Sequence, residues 1–229
     1  MTNTEIKVLS ARAVSPGMVK VIDAFRRQTG YDVKVTFATA PAILKHIGSA
    51  EVPNVLVGPP AVLDEWVKGA KADPNHCVIG RIGVGVMVRA GAPLPKIATT
   101  DEFKQSLLSA QSVVYNQAST GIYLEKLFDR LGIGDQVKAK TTRYPDAAAV
   151  LGHISKGTFN EIGLGATTVI LEDESKGLKF VGPLPAEIQN YTTYAATVIT
   201  DRASATARAF LDYMTTVTAR NIFAGAGIE

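Results

Sequence analysis

The chain has 229 residues, 46% hydrophobic, 20% charged and 7% aromatic, and its length allows one large domain or two small lobes with a real core. That composition excludes disorder and fibrous repeats, and a single cysteine, Cys77, excludes an internal disulfide or a cysteine zinc cluster. With 24 Lys and Arg against 21 Asp and Glu, scattered along the chain, the net charge of +3 offers no dense patch for a phosphate backbone, so no nucleic-acid partner is expected.

Taken in chain order, Met1 to Ile6 lacks the basic and apolar regions of an export signal, and no run approaches the length of a membrane span. These features predict no membrane insertion and a soluble, cytoplasmic protein as the sequence stands, or a periplasmic one if a leader has been removed. Ile6–Leu9 reads as a first strand, and Ser15-Pro16-Gly17 as a helix start with Ser15 as N-cap. Met18, Ile22 and Phe25 share one face of that helix, and Gly30 closes it. Asp32–Phe37 alternates as a second strand, and Thr39-Ala40-Pro41 opens a second helix carrying Ile43, Leu44 and Ile47. Val55–Val57 is a third strand, followed by a helix over Ala61–Gly69.

Gly83–Val88 reads as a strand, and Thr99-Thr-Asp-Glu102 as a capping box ahead of Phe103, Leu107 and Leu108. Ser112–Tyr115 is a strand whose small-residue loop, Asn116–Gly121, feeds a helix bearing Leu124, Leu127, Phe128 and Leu131 and stopped by Gly132. Tyr144-Pro145-Asp146 begins another helix that ends near Gly157. Glu161–Gly165, Leu178–Val181 and Thr193–Ile199 read as strands, a last helix runs from about Ala203, and Ile222-Phe223 forms an apolar cluster near the C-terminus. The alternation predicts an α/β fold.

Three loops share one design, at Arg12 to Gly17, Thr39 to Pro41 and Ala118 to Gly121: a strand delivers small residues that begin a helix. Helix starts expose unpaired N–H groups and about half a positive charge, so several that converge would hold a small anion. Arg12 stands directly after the first strand, where α/β sheets bind ligands, and its guanidinium matches a carboxylate or oxoanion with two parallel hydrogen bonds. Catalytic signatures are missing: His46, His76 and His153 are far apart, and no metalloprotease, hydrolase, phosphate-loop or C-x-x-C motif occurs. Gly83-Val-Gly-Val lacks the third glycine of a dinucleotide loop and reads as strand packing, and Cys77 beside His76 reads as a buried or partly buried free thiol. No metal or cofactor is expected.

Ile6–Met18, Phe37–Ile47, Thr120-Gly-Ile-Tyr123 with the ending at Gly132, and Ile162-Gly163-Leu164 resemble the periplasmic molybdate-binding proteins, members of the type 2 periplasmic binding proteins. The resemblance implies two Rossmann-like α/β lobes with a ligand cleft between them, the first at residues 1–81 and 194–229, the second at 82–193. It implies a ligand set of Arg12, Ala13, Thr39, Ala40, Ser119, Thr120, Gly121, Asp146, Ala166 and Thr167, and, if exported, an ABC permease as partner. Where that family places hydroxyl donors this chain has Ala13, Ala40 and Ala166, and it adds Arg12. Fewer neutral donors, a wider site and a cation favour a small organic di- or tricarboxylate over molybdate. The fold also resembles an aconitate isomerase, which implies the alternative of a cofactor-free isomerase acting by proton transfer. His46, His153, Tyr123 and Asp146 are its candidate bases, and the residues do not choose between them or between receptor and enzyme.

Overall fold

The repeated strand, loop and helix pattern builds two α/β units, Met1–Ile82 with Thr192–Glu229, and Gly83–Tyr191. The computed structural model describes residues 5–47, 49 and 51–229, so Met1–Thr4, read above for an export signal, lie outside the described residues.

In the first unit, β1 (Glu5–Ala11) lies between two parallel neighbours, β2 (Asp32–Ala38) and β3 (Val55–Gly58). The register runs from Glu5↔Asp32 to Ala11↔Ala38 and includes Ser10↔Val57, so the three strands end level with one another. An antiparallel strand, β9 (Tyr191–Val198), borders β3. A 3-10 turn over Arg12–Val14 leads from β1 into α1 (Ser15–Thr29), α2 (Ala40–Lys45) follows β2, and α3 (Pro60–Lys68) follows β3.

Met18, Ile22 and Phe25 of α1 are buried as their spacing requires, and Gly30 ends the helix in the left-handed region at φ 75°, its N–H donating to the Arg26 carbonyl. Ser15 departs from expectation. It is the first residue of α1 rather than its cap, because the preceding turn is already helical. α2 is also shorter than its pattern suggests: Ile43 is fully buried, Leu44 is exposed and Ile47 lies beyond the helix. Six residues cannot sustain a full apolar stripe.

The C-terminal segment completes this unit through α9 (Ala205–Met214) and α10 (Val217–Ala224). Phe210 of α9 meets Phe25 edge-on at 5.0 Å. Phe223 of α10 lies so close to α1 that a Cβ on Gly17 would stand 2.6 Å from its Cδ1. The backbones of Arg81 and Glu229 exchange two hydrogen bonds, of 2.7 and 3.0 Å.

The chain passes into the second unit along β4 (Cys77–Arg89), of which the predicted Gly83–Val88 is only the buried second half. There β5 (Ser112–Asn116) lies between parallel β6 (Thr141–Tyr144) and β7 (Glu161–Ala166), while β4 pairs antiparallel with β7 and with β8 (Leu178–Pro183). The helices are α4 (Thr100–Ser109), α5 (Ser119–Arg130), α6 (Gly134–Lys138), α7 (Ala147–Lys156) and α8 (Thr167–Glu172). Strand alternation divides the core by face: Val113 and Tyr115 join Phe103, Leu107, Leu124 and Phe128, whereas Val114 joins Met87, Val150, Ile154 and Ile170. A Cβ on Gly85 would stand 2.7 Å from the Phe180 ring, a close approach that accounts for glycine in this stretch of β4.

Candidate functional site

In each unit the parallel strands deliver their residues to one edge. In the first, the level ends of β1, β2 and β3 place Arg12 and Ala13, Thr39 and Ala40, and a third start at Pro59-Pro60 side by side at the carboxyl edge, where an α/β sheet offers helix N-termini to ligands. In the second, Asn116↔Tyr144 and Val114↔Gly163 align β5, β6 and β7. Ser119, Thr120 and Gly121, Asp146, and Ala166 with Thr167 therefore stand at its carboxyl edge. The Pro59-Pro60 start was absent from the predicted set, although a strand ending in Gly58-Pro-Pro announces it.

The helices that leave these edges share a property. The residues that precede α1, α2, α3, α5 and α8, namely Val14, Thr39, Pro59, Ala118 and Ala166, make no side-chain capping bond. By contrast α4, which leaves from the end of antiparallel β4, is capped by Thr99 accepting from Glu102 N–H. Ser204 and Thr216 cap α9 and α10 in the same way. At the carboxyl edges α7 is the exception: Asp146 Oδ1 accepts from the Ala149 N–H at 2.9 Å.

Arg12 extends from the first residue of the 3-10 turn. Its Nη1 donates to Ser15 Oγ at 2.6 Å, and its guanidinium carbon lies 6.0 Å from the centre of the Phe37 ring. Neither partner was predicted. A spacing of three across a 3-10 turn, where such side chains eclipse, is the signal that could have shown the first.

On the second unit's edge, Asn116 Oδ1 accepts from Ala118 N–H at 2.9 Å, an Asx turn that folds the loop back toward the strand end. α5 then starts so close that a Cβ on Gly121 would overlap the Asn116 carbonyl oxygen. Gly121 thus seats the helix, and Ser119 and Thr120 occupy its first turn, half-buried.

Three of the four candidate bases are engaged or placed elsewhere. His153 is held on both ring nitrogens, with Nδ1 2.8 Å from Tyr144 Oη and Nε2 3.1 Å from Glu161 Oε1. Tyr123 Oη donates to the Ile188 carbonyl at 2.6 Å. His46, just past α2, lines a cavity of about 230 Å³ with Lys7 and the β2 residues Lys34 and Thr36. Asp146 alone of the four stands at a carboxyl edge.

Cys77 is half-buried, and burial, with Asp212 and Asp73 nearby, pushes its thiol above the ordinary value, the opposite of an activated nucleophile. Among the described residues no group of three or more His, Cys, Asp or Glu could hold a metal ion, and no helix is long and apolar enough to cross a membrane.

The profile of bacterial extracellular solute-binding proteins matches residues 6–229. The chain belongs to this family. Among curated solute-binding relatives and their kin, an aconitate isomerase from a Pseudomonas species is 29% identical over 99% of this chain and 88% of its own length. The molybdate-binding protein ModA of Escherichia coli K12 is 23% identical over 96% and 86%. The periplasmic molybdate-binding protein of Azotobacter vinelandii superposes with a TM-score of 0.78 at 17% identity, covering 98% of each chain. This solute-binding protein is a molybdate-binding-protein-like member of the type 2 periplasmic binding proteins, with their two α/β lobes.

Proposed function

We propose that the chain binds a small organic anion with two or three carboxylates, using Arg12 as cationic anchor and helix-start N–H groups at the carboxyl ends of its parallel strands. The observation that carries this reading is the capping pattern. Of the helices leaving the carboxyl edges, α1, α2, α3, α5 and α8 lack side-chain caps and only α7 has one, whereas α4, α9 and α10, which leave elsewhere, are capped. A ligand oxygen can serve as the missing acceptor.

Ala13, Thr39, Ala40, Ser119, Thr120, Gly121, Ala166 and Thr167 are the small residues of these starts. Ala13, Ala40 and Ala166 offer no hydroxyl, which suits a ligand whose charge is met by Arg12 rather than an oxoanion held by neutral donors alone, because a buried oxygen left without a partner costs about 1–3 kcal/mol. Titration calorimetry should show tricarballylate and the aconitates binding far more tightly than molybdate or tungstate; the reverse order would reject this reading. As a receptor the chain would work in an extracellular compartment, in keeping with the family's description, and would deliver its ligand to an ABC permease.

A second reading, a cofactor-free isomerase, is favoured by the aconitate isomerase relative. Here Asp146 would take a proton from the carbon beside the double bond and return it at the far allylic carbon, while helix-start N–H groups at the same carboxyl edge meet the enolate-like charge. Incubation with aconitate in deuterated buffer separates the two. Deuterium at carbon marks the enzyme, and binding without exchange marks the receptor.

A further inference from the structure

We infer that Ser15 and Phe37 are positioning residues for Arg12: they hold its guanidinium in a fixed orientation at the β1 edge, ready to grip the anion. This inference rests on the reading of Arg12 as the anion anchor.

The orientation begins with backbone geometry. Ser15 N–H donates to the Arg12 carbonyl, closing the 3-10 turn, and side chains three apart in such a turn lie one above the other. Arg12 Nη1 therefore reaches Ser15 Oγ within the turn itself, at 2.6 Å. Ser15 is 1% exposed, so its oxygen is fixed by packing, and a hydrogen bond to a charged donor is stronger than one between neutral groups.

Phe37 supplies the second restraint. It pairs in register with Ser10, two residues before Arg12, so Phe37 lies beside the path that Arg12 follows out of the strand. Its ring centre is 6.0 Å from the guanidinium carbon, at the outer limit of a cation–π contact. Arginine otherwise surrenders considerable rotamer freedom when it grips a ligand, and two standing contacts remove part of that cost before the ligand arrives. A planar guanidinium held at one angle presents its fork ready for two parallel hydrogen bonds to the oxygens of the anion.

The test is a double-mutant cycle read by calorimetry with tricarballylate, which lacks a double bond and cannot be isomerised. Arg12→Ala should weaken binding by about a hundredfold, and Ser15→Ala by about tenfold. In the Arg12→Ala background, Ser15→Ala should change affinity less than twofold, because its effect passes through the arginine. Phe37→Leu should weaken binding several-fold in the wild-type background only. Thermal unfolding of each variant checks that the fold is kept. Equal losses from Ser15→Ala in both backgrounds would mark a merely structural serine and overturn the inference, as would an Arg12-dependent affinity that Ser15→Ala leaves untouched. If Arg12→Ala itself has no effect, or tricarballylate does not bind, the anchor reading fails together with the positioning role.

Discussion

Gly121 and Gly152 both lie in helices, yet their surroundings set opposite outcomes for the same substitution. A Cβ at Gly121 would overlap the Asn116 carbonyl, whereas one at Gly152 meets nothing within 4 Å. Gly121→Ala must push α5 off the end of β5 and should cost about 3 kcal/mol in denaturant unfolding, at the top of the range for overpacking. Gly152→Ala should instead stabilise by about 0.5–1 kcal/mol by restricting the unfolded chain and favouring the helix. Tyr194 of β9 gives a pH-dependent case: it is 7% exposed, and burial pushes its hydroxyl up to about 12. The fold favours the neutral phenol, while an unfolded tyrosine ionises near about 10. Its contribution is therefore complete below the unfolded value and lost as pH rises through the folded one, at most about 2–3 kcal/mol. Between pH 10 and 12, unfolding free energy should fall more steeply in the wild type than in Tyr194→Phe.

Among the elements, those repeating strand, small-residue loop and helix were legible because each step has its own local chemistry: a β-branched run, a Pro or Thr start, a Gly stop. α6, β6 and α8 left no such trace. β6 is a four-residue strand, half-buried throughout, and α8 opens with Thr-Thr-Val-Ile, which favours a strand locally and is helical only in its tertiary setting. The predicted site residues fell at strand ends because topology puts them there, but what each side chain does depends on distant partners. Tyr144, His153 and Glu161 lie on three different elements, and no spacing in the sequence announces that they join beneath α7. Asp146 shows both sides of this: its place before α7 was legible, its capping bond only expected of the residue type. Asp146→Ala should cost about 1 kcal/mol of stability through the lost cap, and Asp146→Asn should keep most of it. In the isomerase reading Asp146→Asn also abolishes deuterium exchange into aconitate while tricarballylate still binds, a pair of results that a purely capping role would not produce.

At the scale of the whole molecule, the two units differ in how the chain builds them. The second is one continuous stretch, and both of its apolar clusters draw only on residues between Val84 and Ile188. The first is closed by residues from both ends of the sequence: α1 packs against α9 and α10, and Arg81 pairs with Glu229. Cooperative folding follows the buried core rather than the order of the chain, so a segment that contains its whole core should fold without the rest. A fragment of residues 83–191 should therefore unfold in a single cooperative transition on urea titration followed by circular dichroism. A chain cut after residue 216 loses Phe223 and Ile228, which are 1% and 2% exposed. It should keep the transition of the second unit and lose that of the first, with amide exchange in β1 and α1 becoming fast while β5 and α5 stay protected. Uniform loss of protection across both units would instead mean that the second unit depends on the first for its stability.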